Sequence, residues 1–80
     1  MGMYYVYVLF NGKIKYVGYT SDLKRRLREH QTDKVEATKL KGHWELIFYE
    51  AFKEETKARK RELYFKTTKG KRALKLMLGV

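Results

Sequence analysis

The dipeptide Asn11-Gly12 lies between two runs rich in β-branched and aromatic residues, MYYVYVLF and KIKYVG. Both residues tolerate the positive φ that a tight type I′ turn demands, so the chain is expected to open with an antiparallel hairpin. With these two residues as the loop, Phe10 faces Lys13, Leu9 faces Ile14, Val8 faces Lys15 and Tyr7 faces Tyr16. Tyr7 and Leu9 then share one face of the first strand, while Tyr4, Val6 and Val8 make the other face apolar too. A strand covered on both faces is central to its sheet.

Beyond Gly18, Thr20 or Ser21 can cap a helix, with Asp22 in its first turn complementing the dipole. This helix is expected from about Ser21 to His30. Residues 31 to 42 are polar, include Gly42, and read as a loop. The segment HWELIFYEAF has the composition of a third strand. Lys53 to Lys66 is helix-forming, and after TTKG a short helix is expected over about Lys71 to Leu78. The predicted order is ββαβαα, an α+β fold with a three-stranded antiparallel sheet flanked by helices. No proline, repeat or low-complexity tract marks a boundary, and 80 residues suffice for one modest core, so a single domain is expected.

The absence of cysteine excludes disulfides, thiolate zinc sites and cysteine nucleophiles together. No apolar run approaches the roughly 18 residues of a membrane span, and the N-terminus lacks signal-peptide order. The expectation is a soluble, cytoplasmic protein with no membrane partner. Nineteen Lys and Arg against nine Asp and Glu give a formal net charge of +10. That balance favours a polyanionic partner, and nucleic acid is the first candidate. Ten basic and three acidic residues fall between Lys53 and Lys75, so this segment carries seven of the ten net charges. A solvated helix exterior would have the same composition.

Several side chains are chemically conspicuous where a core is expected. Leu23 and Leu27 define the inward stripe of the first helix, and Arg26 and His30 fall on or beside it. A guanidinium at a core edge needs an anion, either an internal carboxylate or a bound phosphate. Ala58, Glu62 and Phe65 follow i, i+4, i+7 spacing, which sets a carboxylate between two packing residues. Surrounded by Arg59, Lys60 and Arg61, that carboxylate suits either a hard cation or an internal ion pair with Arg26. Tyr7 and Tyr16 alone would be an ordinary cross-strand pair. As a set, two phenols, an Arg, a His and a Glu from four elements fill each role of phosphodiester hydrolysis.

These residues resemble the GIY-YIG nuclease family over essentially the whole chain. Tyr5-Val6-Tyr7 corresponds to the first motif, with Tyr5 in place of its glycine, and Tyr16-Val17-Gly18 to the second. Arg26 falls ten residues after Tyr16, His30 four further on, and Glu62 within ARKRE matches the family's metal-binding glutamate. No clear counterpart is found for the asparagine that some members carry after the glutamate. The length and the TKARKRELYFKTTKGKRALK segment are most similar to small stand-alone members related to the nuclease domain of the bacterial excision-repair incision subunit.

The resemblance implies one divalent ion, Mg²⁺ or Mn²⁺, held by Glu62 with water and the scissile phosphate. It makes Arg26 the stabiliser of phosphate charge and Tyr7 the leading candidate for activating water, with Tyr16 assisting. His30 is a second candidate proton carrier or phosphate ligand. Gly18, Thr20, Arg25, Lys60 and Arg61 are candidate contacts to the nucleic-acid backbone. The function expected is a metal-dependent endonuclease acting on DNA rather than RNA, selective for flaps, nicks or branches. The alternative is a module that binds DNA or RNA with the same basic face and does not cut. A protein-binding adaptor would need an acidic partner and leaves the inward Arg and Glu unexplained.

Overall fold

The computed structural model describes residues 2–39 and 41–80. Its elements are β1 (Tyr4–Phe10), β2 (Lys15–Thr20), α1 (Leu23–Gln31), β3 (Glu45–Phe52), α2 (Glu55–Phe65) and α3 (Thr68–Leu78). The sheet is antiparallel with order β2-β1-β3, so the strand with two apolar faces is indeed the central one. No helix among the described residues is long and apolar enough to cross a membrane.

The hairpin is present, but its register differs from the expected one. Tyr7 pairs with Gly18, Leu9 with Tyr16 and Phe10 with Lys15. The cause is Asn11, whose side-chain Oδ1 accepts from the Lys13 and Ile14 amides, both at 2.9 Å. This Asx-type closure takes residues 11–14 into the loop, with only Gly12 at positive φ (93°), instead of a two-residue type I′ turn. The slip moves each β2 partner by two residues, so no side chain changes face. Tyr7 and Tyr16 remain on one side of the sheet as diagonal neighbours.

Each face of the sheet closes its own core. Val6, Val8 and Val17 pack with Ala58, Phe65 and Leu74 of α2 and α3. Tyr7 and Leu9 pack with Trp44 and, at the periphery, Tyr16, Leu23, Leu27 and Leu46. A bulge at Ile47, between the Val8–Phe48 and Leu9–Leu46 pairs of the β1–β3 ladder, lets the adjacent Ile47 and Phe48 pack against the same core while Leu46 serves the other.

Two helix starts differ from expectation. Asp22 is the N-cap of α1 itself, its Oδ1 accepting from the Arg25 amide at 3.1 Å, while Thr20 Oγ1 accepts from the Asp22 amide. In α3 the cap is Thr67, whose side chain accepts from Gly70 N at 3.0 Å, so the helix begins three residues before Lys71. The expected loop is nonetheless structured at several points: Val35 and Thr38 are buried, as is Trp44 just before β3. Residue 40 of that loop lies outside the described residues.

Candidate active site

The Tyr7 side chain projects from the central strand toward α1 and is fully buried. Its hydroxyl lies 2.9 Å from His30 Nε2, and His30 Nδ1 lies 2.8 Å from Thr38 Oγ1. Thr38 is itself fixed, since its carbonyl accepts from Trp44 Nε1 at 3.0 Å and its hydroxyl faces the Val35 carbonyl at 3.4 Å. With the threonine proton directed at Val35, Nδ1–H donates to Thr38 and Nε2 accepts from the Tyr7 hydroxyl. The reverse tautomer would leave the Tyr7 proton to find another acceptor. Tyr16 completes the cluster, its ring centroid 4.9 Å from that of His30 and 6.2 Å from that of Tyr7.

Gly18, the last residue of the second tyrosine motif, explains how the Tyr7 ring fits. A Cβ at Gly18 would lie 2.5 Å from the Tyr7 hydroxyl oxygen and 2.6 Å from Cζ. Gly18 is buried, so the expected contact with a nucleic-acid backbone is corrected to an internal one: it vacates the space the phenol occupies. Gly18→Ala is expected to cost about 1–3 kcal/mol in urea unfolding, the usual penalty for overpacking. An unchanged midpoint would show that Tyr7 can move aside freely.

Arg26 stands at the rim, its side chain 34% exposed and its Nη1 2.8 Å from Glu29 Oε1. The alternative of an internal ion pair between Arg26 and Glu62 is not realised; Glu29, one helical turn on, is the partner of Arg26. The Arg26 bond holds the Glu29 carboxyl below its ordinary range, and Glu29 with Tyr7 raises the Arg26 guanidinium further. Burial pushes the Tyr7 phenol well above 10, with Arg26 opposing the rise in part. Burial, and next the Arg26 charge, push His30 down to about 4. His30 is therefore neutral at pH 7, with Nε2 available as the acceptor of the Tyr7 hydroxyl.

The depressed His30 value ties stability to pH. Unfolded, this histidine protonates near 6.5; folded, it resists until about pH 4. Between those values the unfolded chain binds the extra proton, so this contribution is whole above pH 6.5 and is lost as pH falls to about 4. The loss amounts to about 3 kcal/mol at most. Urea midpoints measured from pH 7 to pH 4 should fall through that window, and a flat profile would contradict a buried neutral His30.

Glu62 lies on α2, across the sheet from the phenols. Its Oε2 accepts from Lys66 Nζ at 2.9 Å, and its side chain is only 15% exposed. No hydrogen bond or ion pair among the described residues joins it to Tyr7, Tyr16, Arg26 or His30. Nor does any group of three or more His, Cys, Asp or Glu suited to a metal occur among them. A lone carboxylate cannot cage a metal, but with water and phosphate oxygens it fits a hard divalent ion, and Lys66 marks the place where positive charge settles. Tyr16 bridges the two halves: it belongs to the phenol cluster and also lines a groove with Lys66, the partner of Glu62.

The other expected backbone contacts divide in two. Arg25 and Lys60 are exposed and available to phosphate. Thr20 is buried and holds the turn into α1, so its expected contact is corrected to a structural bond. Arg61 donates to both Glu50 oxygens, at 2.8 and 3.2 Å, and lies over the Phe65 ring at 4.4 Å, which commits its fork internally.

Thr38 and Trp44 were not identified as site residues. The signal present in the sequence was apolar: Val35 and Trp44 bracket a segment that composition alone marks as loop.

Comparison with known proteins bears on this geometry. The model of the GIY-YIG catalytic domain matches residues 3–75. The chain belongs to the GIY-YIG family. That family is one of nucleases, generally endonucleases that use a divalent metal, so its substrate class is nucleic acid. Among relatives, the UPF0213 protein YazA of Bacillus subtilis (strain 168) is 42% identical over 52 residues. These make up 64% of this chain and 52% of YazA, so the match spans about half of that relative. The solution NMR structure of the UPF0213 protein BH0048 from Bacillus halodurans superposes with a TM-score of 0.58 at 30% identity, covering 96% of this chain and 85% of that one. The BH0048 protein thus shares the fold over nearly the whole of this chain, in which Tyr7, Tyr16, Arg26 and His30 gather on one face of the sheet.

Proposed function

We propose that the chain is a divalent-metal-dependent endonuclease that hydrolyses phosphodiester bonds in DNA, with selectivity for flapped, nicked or branched structures. The observation that carries this reading is the hydrogen-bonded line Tyr7–His30–Thr38 with Tyr16 and Arg26 beside it. A hairpin core needs none of these polar groups, whereas proton transfer beside a phosphate uses them all.

Burial alters the roles implied by the resemblance. Tyr7, expected to activate the attacking water, is sealed from solvent and its phenol is held above the ordinary value. It acts as a neutral donor that orients His30. Tyr16, half-buried and open to the groove, is the phenol that meets and orients the water. The proton released on attack leaves by way of the Tyr16 hydroxyl to solvent, while His30, neutral at pH 7 and accepting from Tyr7 at Nε2, holds the buried phenol in place. Arg26, accessible at the rim, stabilises the charge that develops on the phosphate oxygens. Glu62 would hold the metal in place of Lys66, and a divalent ion bound there supplies Lewis-acid charge to the phosphate.

The lone, lysine-paired Glu62 favours a second reading, in which the same basic surface binds DNA or RNA without cutting. End-labelled duplex, nicked, flapped and single-stranded DNA and RNA, incubated with Mg²⁺, Mn²⁺ or EDTA, separate the two. Metal-dependent cutting of branched DNA is the expected result. Binding without cutting of any substrate would establish the second reading.

A further inference from the structure

Two aromatic rings of the sheet, Tyr5 and Tyr49, belong to neither core. Tyr49 is the β3 partner of Tyr7, and Tyr5 lies two residues before Tyr7, so all three side chains leave the same face of the sheet. Tyr7 is buried beneath α1, whereas Tyr49 is 52% exposed and Tyr5 half-buried. The two rings meet edge to face with centroids 6.1 Å apart. Ala51, which pairs with Tyr5, is exposed and adds no bulk beside them. A cleft of about 340 Å³ is lined by these two rings and by Ser21, Asp22, Leu23 and Lys24 at the start of α1.

Helical spacing sets the charge around it. Leu23, Leu27 and His30 face the sheet, which sends Arg26 out on one side of their stripe and Lys24 on the other, with Arg28 one turn beyond Lys24. Lys24 and Arg28 are exposed and enter no ion pair among the described residues. Asp22, the one carboxylate lining the cleft, is engaged as the cap of α1. A protein partner would need roughly 800 Å² of surface, far more than two tyrosine rings and an alanine present. A nucleobase, by contrast, is the size of one ring. A site for phosphate alone has no use for exposed aromatics, and bases in a duplex keep their faces stacked on one another. Exposed rings beside cations fit an unpaired nucleotide.

We propose that this open side of the sheet binds an unpaired segment of a DNA strand, one base stacked on the exposed Tyr49 ring beside Tyr5 and the adjoining phosphates met by Lys24 and Arg28. The proposal rests on the nuclease reading for its choice of DNA. It deepens that reading by giving the unpaired arm of a flap its own contact, on the side of α1 opposite the Arg26 that meets the phosphate to be cut.

The test is fluorescence anisotropy in EDTA at physiological salt, with labelled oligothymidine, an abasic strand of equal charge and oligouridine of equal length. Tyr49→Ala should bind oligothymidine about tenfold more weakly, the scale of one lost stack of a base on a ring, and should bind the abasic strand as wild type does. Tyr49→Phe should match wild type, because stacking uses the ring and not the hydroxyl. Lys24→Ala/Arg28→Ala should weaken both DNA strands alike, by about tenfold, since phosphate contacts do not depend on the base. Every side chain altered is exposed, so circular dichroism should stay unchanged. Wild-type affinity in Tyr49→Ala, an equal loss for the abasic strand, or tighter binding of oligouridine than of oligothymidine would each overturn the proposal. A protein that cuts flaps, with Tyr49→Ala binding and cutting them as wild type does, would overturn it and leave the nuclease standing. Base-dependent binding through Tyr49 by a protein that never cuts would sustain it and remove the nuclease reading.

Discussion

Replacing Arg26 by alanine should lower single-turnover DNA cleavage by about two to three orders of magnitude, the range for losing one preorganised charge donor at a developing anion. The fold should survive. The Arg26–Glu29 pair is a half-exposed i, i+3 contact, and such pairs contribute under about 1 kcal/mol. Arg26→Lys should restore only part of the rate, because an ammonium cannot hold Glu29 and a phosphate with one planar fork. A second readout is independent of cleavage. Arg26 helps to depress His30, so the variant's His30, followed by NMR, should titrate above its wild-type value of about 4. Full activity in a folded Arg26→Ala protein would detach the guanidinium from catalysis.

The largest expected effect on stability comes from Gly70→Ala. Helix propensity alone predicts a gain of about 1 kcal/mol, since glycine inside a helix is unfavourable relative to alanine. The packing predicts the reverse. A Cβ at Gly70 would overlap the Tyr64 carbonyl oxygen and lie 2.5 Å from its carbon and 2.7 Å from Phe65 Cα, all backbone atoms that cannot rotate away. Relief requires opening the α2–α3 corner, where Thr67 Oγ1 donates to the Tyr64 carbonyl and accepts from Gly70 N. A cost of about 4 kcal/mol or more follows, in the class of the most severe single substitutions. Domains of this size are stable by roughly 4–12 kcal/mol. The variant should therefore be largely unfolded or melt far below wild type, and a raised melting temperature would mean that propensity outweighs the clash.

Gly70 also illustrates what the sequence concealed. In TTKG it reads as a helix breaker, yet it sits inside α3 because another helix's backbone presses on it, a constraint no local pattern carries. Thr67 as a cap was the visible signal that α3 starts earlier. The hairpin register failed for a comparable reason: Asn-Gly marks the turn, but whether asparagine adopts positive φ or closes an Asx turn is decided by a side-chain bond. Because the error was two residues, the strand faces and the pairing of Tyr7 with Tyr16 in one cluster were legible all the same. Element order, the central strand and the inward set of Leu23, Leu27, Arg26 and His30 followed from periodicity, which depends on local geometry alone.

The partners of those residues were less legible. Glu29 for Arg26, Thr38 for His30 and Lys66 for Glu62 are choices among several charged or polar neighbours, made by packing. Thr38 lies in a polar stretch with no periodic signal, and only tertiary closure by Trp44 gives it a fixed position. Gly18 was legible as a motif residue, whereas its reason, the Tyr7 ring lying over it, required the fold.

The most direct measurement is single-turnover cleavage of a labelled flap substrate in Mg²⁺ by wild type and by Glu62→Ala, with folding checked by circular dichroism. Loss of Glu62 removes one i, i+4 pair with the half-exposed Lys66 and the packing of a side chain only 15% exposed, and the variant should still fold and bind DNA. Cutting by wild type that disappears in the folded variant, with binding retained, is the predicted result. Equal cutting by both proteins would contradict a metal-dependent site built on Glu62.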